Sequence, residues 1–250
     1  MTLNLARHRV LATAILSLAV AASFLPSTVA AQESDGWEFR VTPYLWMLGM
    51  DGTTAMLGDD VPVDASFSDI LDLLNIALSV NMELSKGKVF FVLDAMYAAL
   101  ETDFEAPGPI AGDINIDLII ADLAVGYKVN DNFDLYAGAR LYDQEIAITP
   151  DMLSKVTLGD DWTDFILGFR VHNDMSEKWS FMGKLDGAVS GDSESALYVQ
   201  VVFLRHFSKN RHLDLGWRYY DVDYESGSGL TRFKWDVAHS GPVIGYSWEF

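Results

Sequence analysis

The sequence predicts an all-β fold: a closed antiparallel β-barrel of ten strands that crosses a lipid bilayer. Three observations carry that expectation. Ten runs show period-two alternation, the connections between them alternate between short and longer, and aromatic residues gather at the short-turn end. Eight or twelve strands remain alternatives, because the fourth run and the segment 51–75 each read two ways.

The runs follow in order. The first, 37–50, places Phe39, Val41, Pro43, Leu45 and Met47 on one face. The second, 76–85, sets Leu78, Val80, Met82 and Leu84 against Ala77, Ser79, Asn81 and Glu83. A Lys86-Gly87-Lys88 turn leads into the third, 89–103, with Phe91, Leu93 and Tyr97 opposite Asp94. The fourth, 113–129, alternates Ile119, Leu123 and Val125 with Asp122. Its first half (Ile114, Ile116, Leu118) has the opposite phase, which predicts a bulge or a late start. The remaining runs are 133–148, 162–173, 178–190, 195–207, 212–225 and 233–250. Short polar turns follow the second, fourth, sixth and eighth runs, and the longest connection is 51–75. Within it, Phe67 to Leu74 has helical spacing and predicts a short helix at the barrel mouth.

Residues 1–31 read as a cleaved secretory leader, leaving 32–250 as the barrel domain. Arg7, His8 and Arg9 form a basic start, an apolar run follows to Leu25, and Val29-Ala30-Ala31 supplies small residues for cleavage. The apolar run is shorter than the ~20 residues of a spanning helix. Without the leader's two arginines, 15 Lys and Arg stand against 36 Asp and Glu, a formal charge of −21. That balance excludes a sequence-independent nucleic-acid binder, which needs cations to displace counterions. Yet half the residues are hydrophobic and 12% aromatic, so the chain is no acidic disordered tail. The absence of cysteine removes disulfides and thiolate metal sites.

A weak internal repeat, L-x-x-G-x-R-x-Y-D, runs from Leu135 to Asp143 and again from Leu213 to Asp221. Each copy follows a short turn and sets its Arg and Tyr opposite the apolar stripe.

The closing Gly241-Pro-Val-Ile-Gly-Tyr246-Ser-Trp248-Glu-Phe250 resembles the terminal β-signal of bacterial outer-membrane proteins. The resemblance implies an insertion signal at Tyr246, Trp248 and Phe250 that the barrel-assembly machinery reads. The opening Trp37-Glu-Phe-Arg-Val-Thr-Pro43-Tyr44-Leu45-Trp46 resembles a widespread, largely uncharacterised family of outer-membrane β-barrel proteins. So do Trp162-Thr-Asp164-Phe-Ile-Leu-Gly168-Phe-Arg170, Gly216-Trp-Arg218-Tyr-Tyr220-Asp221-Val-Asp223-Tyr224 and the Gly183-Lys184-Leu185-Asp186-Gly187 segment. The family implies location and fold, and no activity.

In lipid the apolar stripes must face outward. Arg40, Glu83, Asp94, Asp122, Arg140, Asp164, Arg170, Lys184, Asp186, Asp214 and Arg218 then face the lumen. Ten strands enclose little more than the eight-stranded barrels that side chains fill, so these charges are expected to pair and plug it. A narrow porin-like channel is the alternative.

Pro43 and Pro242 fall on the strands that close the barrel, and each removes a backbone donor. The expectation is that they sit at bulges or face their other neighbours. If both faced the seam, the wall would be weakened towards a lipid or apolar ligand, giving lateral-access transport.

No catalytic signature emerges, and no enzyme or cofactor is expected; a lipid-directed hydrolase is the remaining enzymatic reading. His239 and Ser240 fall on opposite faces, while His172, His206 and His212 lie at short-turn ends as solvated groups. Asp221, Asp223 and Glu225 are weak candidates for a hard cation, more simply read as a wet loop base. Asp59, Asp60, Asp160 and Asp161 could meet lipopolysaccharide through divalent cations. The expected partners are outer-membrane lipid and the insertion machinery, and the expected state is a monomer.

Overall fold

The computed structural model describes residues 36–56, 58–106, 110–150 and 154–250; the expected leader lies outside them. Ten strands close a barrel: β1 (Glu38–Trp46) and β4 (Leu74–Lys86), β5 (Val89–Ala106), β6 (Ile110–Asn130), β7 (Phe133–Pro150), β8 (Val156–Ser176), β9 (Trp179–Gly191), β10 (Ser195–Ser208), β11 (Arg211–Ser226) and β12 (Phe233–Glu249). Neighbours in sequence pair antiparallel, β1 pairs β4, and β1 closes on β12. Among the described residues no helix is long and apolar enough to cross a membrane. The crossing is made by strands.

The outward stripes form the apolar jacket. Phe91, Leu123, Val125, Phe165, Leu167 and Trp217 are each about half exposed. Such a belt is unfavourable in water and is the lipid-facing surface of a membrane barrel. At the short-turn end it is bordered by aromatics: Phe39 stacks on Phe250, Phe207 stacks on Tyr246, and Lys86 lies over Trp37. A crossing strand needs about 9–11 residues. β6 and β8 have 21 each, so their outer ends stand clear of the bilayer.

The bulge or late start expected in the first half of the fourth run is absent: β6 starts at Ile110, and its one register shift against β7 lies at the far end, between Lys128 and Asn130. β6 pairs β5 without a register shift from Val89↔Tyr127 to Ala106↔Ile110. Its phase inverts because the lumen changes character. Leu118 is buried with Ile114 and Ile116 beside it, in an apolar cluster filling the outer lumen.

The first run divides. β1 ends at Trp46, and β2 (Gly49–Met56) resumes on β12 with Ser240↔Gly49 to Trp235↔Thr54. The break lies at Met47–Leu48, opposite Gly241 and Pro242. Met47 N–H donates to Pro242 O at 2.9 Å, but Pro242 has no N–H to return. The Met47 carbonyl sits so close to Gly241 that a Cβ there would lie 2.0 Å from it. The segment 51–75 holds a hairpin of β2 with β3 (Asp59–Ala65), then α1 (Phe67–Leu73). α1 starts at a capping box formed by Ser66 and Asp69, and it buries Ile70.

Both seam prolines face the seam, contrary to expectation. Phe39 exchanges both backbone bonds with Phe250, and Met47 bonds Pro242. Odd residues of β1 therefore point to β12, including Pro43. The ladder omits the Thr42 and Pro43 positions between Val41↔Trp248 and Tyr44↔Gly245, then continues to Trp46↔Val243. At the omitted position the Thr42 and Ser247 hydroxyls hydrogen-bond at 2.6 Å, fully buried. A side-chain bond replaces the missing backbone bond, and this side of β1 stays joined.

Candidate functional site in the barrel lumen

Inward-facing charges form three joined groups. Nearest the short-turn end, Glu83 accepts from Arg40 at 3.0 Å and from Arg170 at 2.5 Å. Arg170 also pairs with Asp134 at 2.9 Å, and His172 contacts the same carboxylate at 2.7 Å. The Arg170 guanidinium lies 3.9 Å over the Phe90 ring. Phe90 in turn covers Gly126, its partner on β6, so closely that a Cβ there would meet the ring at 2.0 Å.

At mid-barrel Arg140 grips Asp122 with Nε at 2.6 Å and a terminal nitrogen at 2.8 Å, a bidentate fork. Asp186 lies 3.0 Å from the same guanidinium and accepts from Tyr136 at 2.5 Å. Lys184 sits 3.7 Å from both carboxylates. Arg140 is 1% exposed, between the faces of Tyr198 and Tyr220. Beside this group, Asp94 accepts from Tyr44 at 2.7 Å and Asn81 at 2.9 Å, and Arg218 donates to Tyr44 at 2.8 Å.

Two of the eleven lumen candidates stand apart. Asp164 accepts from the backbone N–H groups of Asp192 and Ser193 and caps the β9–β10 turn. Asp214 accepts from Ser247 at 3.1 Å and lies 3.3 Å from His212. Asp134, Tyr44, Tyr136 and Tyr198 complete the network and were not singled out in the sequence. Their signal is parity, since each shares a face with a selected charge on its own or a neighbouring strand.

Above the charges the outer lumen is aromatic. Trp162 stacks on Tyr224 at 4.1 Å and on Tyr142 at 4.6 Å. Tyr220 bonds Tyr142, and Phe233 and Trp235 are buried beside them. The remaining space in the barrel interior includes a cavity of about 70 Å³ in the lower lumen, lined in part by Arg40, Asp94 and Arg218. A second, of about 20 Å³, lies beside Trp46, Arg140 and Tyr220.

His239 and Ser240 do not make a dyad, whereas the His206 ring nitrogen Nε2 and the Ser180 hydroxyl share a hydrogen bond at 2.7 Å at the short-turn end. His239 is 1% exposed among Trp46, Tyr220 and Trp235, while Ser240 on the other face accepts from Trp217. His212 is buried rather than solvated, at 2% exposure. Among the described residues no three His, Cys, Asp or Glu side chains are grouped to hold a metal ion. Asp221 accepts from Tyr219, and Glu225 is held by Arg232.

Above the bilayer, Arg232 joins Glu225 at 2.8 and 3.0 Å to Asp60 at 2.5 Å, tying the β2–β3 hairpin to the β11–β12 connection. Its hydrogen bonds hold both carboxyls below the usual carboxylate range. Asp160 accepts from Tyr224 and Ser226. Of the four loop acids named above, Asp60 and Asp160 are therefore internally engaged.

No protein-family model and no curated protein sequence matches the chain. Solved structures resemble it at low identity. Neisserial surface protein A matches at 13% identity over 86% of this chain and 99% of its own, with a TM-score of 0.35. The translocator domain of autotransporter NalP from Neisseria meningitidis matches at 10% over 99% and 98%, TM-score 0.43. The outer membrane protease OmpT from Escherichia coli matches at 7% over 90% and 100%, TM-score 0.47. At these values no activity carries over. A closed, even-numbered antiparallel barrel with an apolar jacket and a polar interior is nonetheless the architecture of outer-membrane proteins, and this chain is an integral outer-membrane β-barrel.

Proposed function

We propose that this barrel is a closed, side-chain-filled outer-membrane module whose role at the cell envelope is structural or interactive rather than conductive. The observation that supports this is the position of Arg140, buried between Asp122 and Asp186 with an aromatic stack above it. An ion crossing the lumen would have to part those pairs, and leaving a buried charge uncompensated costs about 3–5 kcal/mol. The resemblance of the opening and closing segments supports membership of the outer-membrane barrel family named above, with the closing aromatics as its insertion signal. Proteoliposome swelling tests the proposal. Liposomes carrying the barrel should shrink in an impermeant sugar and not re-swell on addition of small ions or sugars. Rapid re-swelling would contradict it.

A further inference from the structure

The cavity of the lower lumen has a donor-rich end and an apolar wall. Pairing across β9, β10 and β11 sets Lys184, Gln200 and Arg218 in one inward row. The row beneath it, towards the short turns, is Met182, Val202, Gly216 and Val243 on β9 to β12. The three side chains of the upper row and the three apolar ones of the lower row line the same space of about 70 Å³.

Two donors in the upper row are unspent. The Lys184 ammonium lies 3.7 Å from Asp122 and from Asp186, beyond hydrogen-bond distance, and rests 4.5 Å over the Tyr198 ring. The Gln200 side-chain carbonyl accepts from Tyr198, while its amide nitrogen has no partner among the described residues. An ammonium carries three N–H groups and an amide two, and donors left unpaired in a largely buried space are costly. The space therefore suits a molecule that brings an acceptor. That molecule must be neutral. Arg140, Lys184 and Arg218 already stand against Asp94, Asp122 and Asp186, and Arg40 and Arg170 against Glu83 and Asp134. Lower down, Asp214 lies beside His212. A further ion among the upper groups would be buried without a counter-charge. Above the cavity Arg140 and the stacked rings of Tyr142 and Trp162 close the lumen. Below it, the partly exposed side chains of Arg40 and Asp214 border the way to the short-turn end, which faces the periplasm in an outer-membrane barrel.

We propose that the lower lumen is a binding pocket, entered from the periplasmic side, for a small neutral carbonyl compound such as a short-chain amide or ester. Its carbonyl oxygen accepts from the Lys184 ammonium and the Gln200 amide, and its alkyl chain lies on Met182, Val202 and Val243. The pocket is blind at its upper end and works without a conducting lumen, so it stands or falls apart from the swelling result.

Methionine methyl NMR on the folded barrel in detergent at neutral pH tests this with three probes of matched chain: butyramide, butyrate and butylammonium. The Met182 methyl, assigned by Met182→Leu, reads the pocket, and the exposed Met175 reads partition into the micelle. Butyramide should shift Met182 saturably, and the two ions should bind at least about tenfold more weakly. Gln200→Leu removes one donor without changing the charge and should weaken butyramide about fivefold, the effect of one lost hydrogen bond. A Met182 shift that is absent, that tracks Met175, or that the ions match would overturn the proposal. So would undiminished affinity in Gln200→Leu. If that variant does not fold, the ranking of the three probes decides alone.

Discussion

The hydroxyl of Tyr220 donates to that of Tyr142 across the lumen, and the two tyrosines occupy the same position in the two copies of L-x-x-G-x-R-x-Y-D. The repeat thus marks two strands whose inward residues meet: Arg140 lies 5.1 Å over the ring of Tyr220. Removing either hydroxyl leaves a buried partner short of a bond. Tyr220→Phe should cost about 1–3 kcal/mol, and adding Tyr142→Phe should cost less than the sum of the single changes. Denaturant unfolding of the three variants in detergent checks this.

Arg140 and Lys184 together neutralise two buried carboxylates, Asp122 and Asp186, with Arg140 making the shorter contacts. Arg140→Met should therefore destabilise by about 3–5 kcal/mol. Restoring neutrality with Asp122→Asn, which leaves Lys184 opposite Asp186, should recover part of that loss. Unfolding midpoints of the single and double variants read the difference, and equal midpoints would remove the pairing argument.

The Phe90 ring lies flat against Gly126, with Arg170 over its other face. Gly126→Ala has no room unless the ring moves, and overpacking of this kind costs about 1–3 kcal/mol. Gly87, in the β4–β5 turn, has open space around it but a φ of 56°, so Gly87→Ala should cost less and act through backbone strain alone. Thermal unfolding of the two variants ranks them.

The Arg232 clasp should respond to acid. Asp60 and Glu225 are held below their ordinary values when folded, so the clasp is complete above the ordinary carboxylate range, about pH 4. It is lost as pH falls through the depressed folded values. Hydrogen exchange in β2–β3 should accelerate in that acid window. In Arg232→Ala it should already be fast at neutral pH.

The barrel was legible because alternation and turn chemistry are local. Leu78 to Leu84 and Phe165 to Val171 state their faces without reference to any partner. The inward charges were legible for the same reason, whereas their pairing depends on shear and had to be seen. Asp164 and Asp214 share the inward parity, yet one caps a turn and the other lies beside His212. The apolar outer lumen was misread as a bulge in β6 because inward Ile114 and Ile116 break the rule that only outward residues are greasy. The hairpin in 51–75 stayed hidden because Gly52, Thr53, Asp59 and Asp60 give it the composition of a loop. Its strand character comes from β12, which offers β2 an edge above the point where β1 ends. The direction of the prolines' missing donors needed the register as well.

Planar-bilayer recording tests the filled lumen most directly. The purified barrel, shown to be inserted, should give no stepwise currents at moderate voltage in molar salt. Tyr142→Ala with Trp162→Ala, which removes stacked rings from the outer lumen, should increase ion leakage. Steady, uniform conductance steps from the unmodified protein would contradict the account.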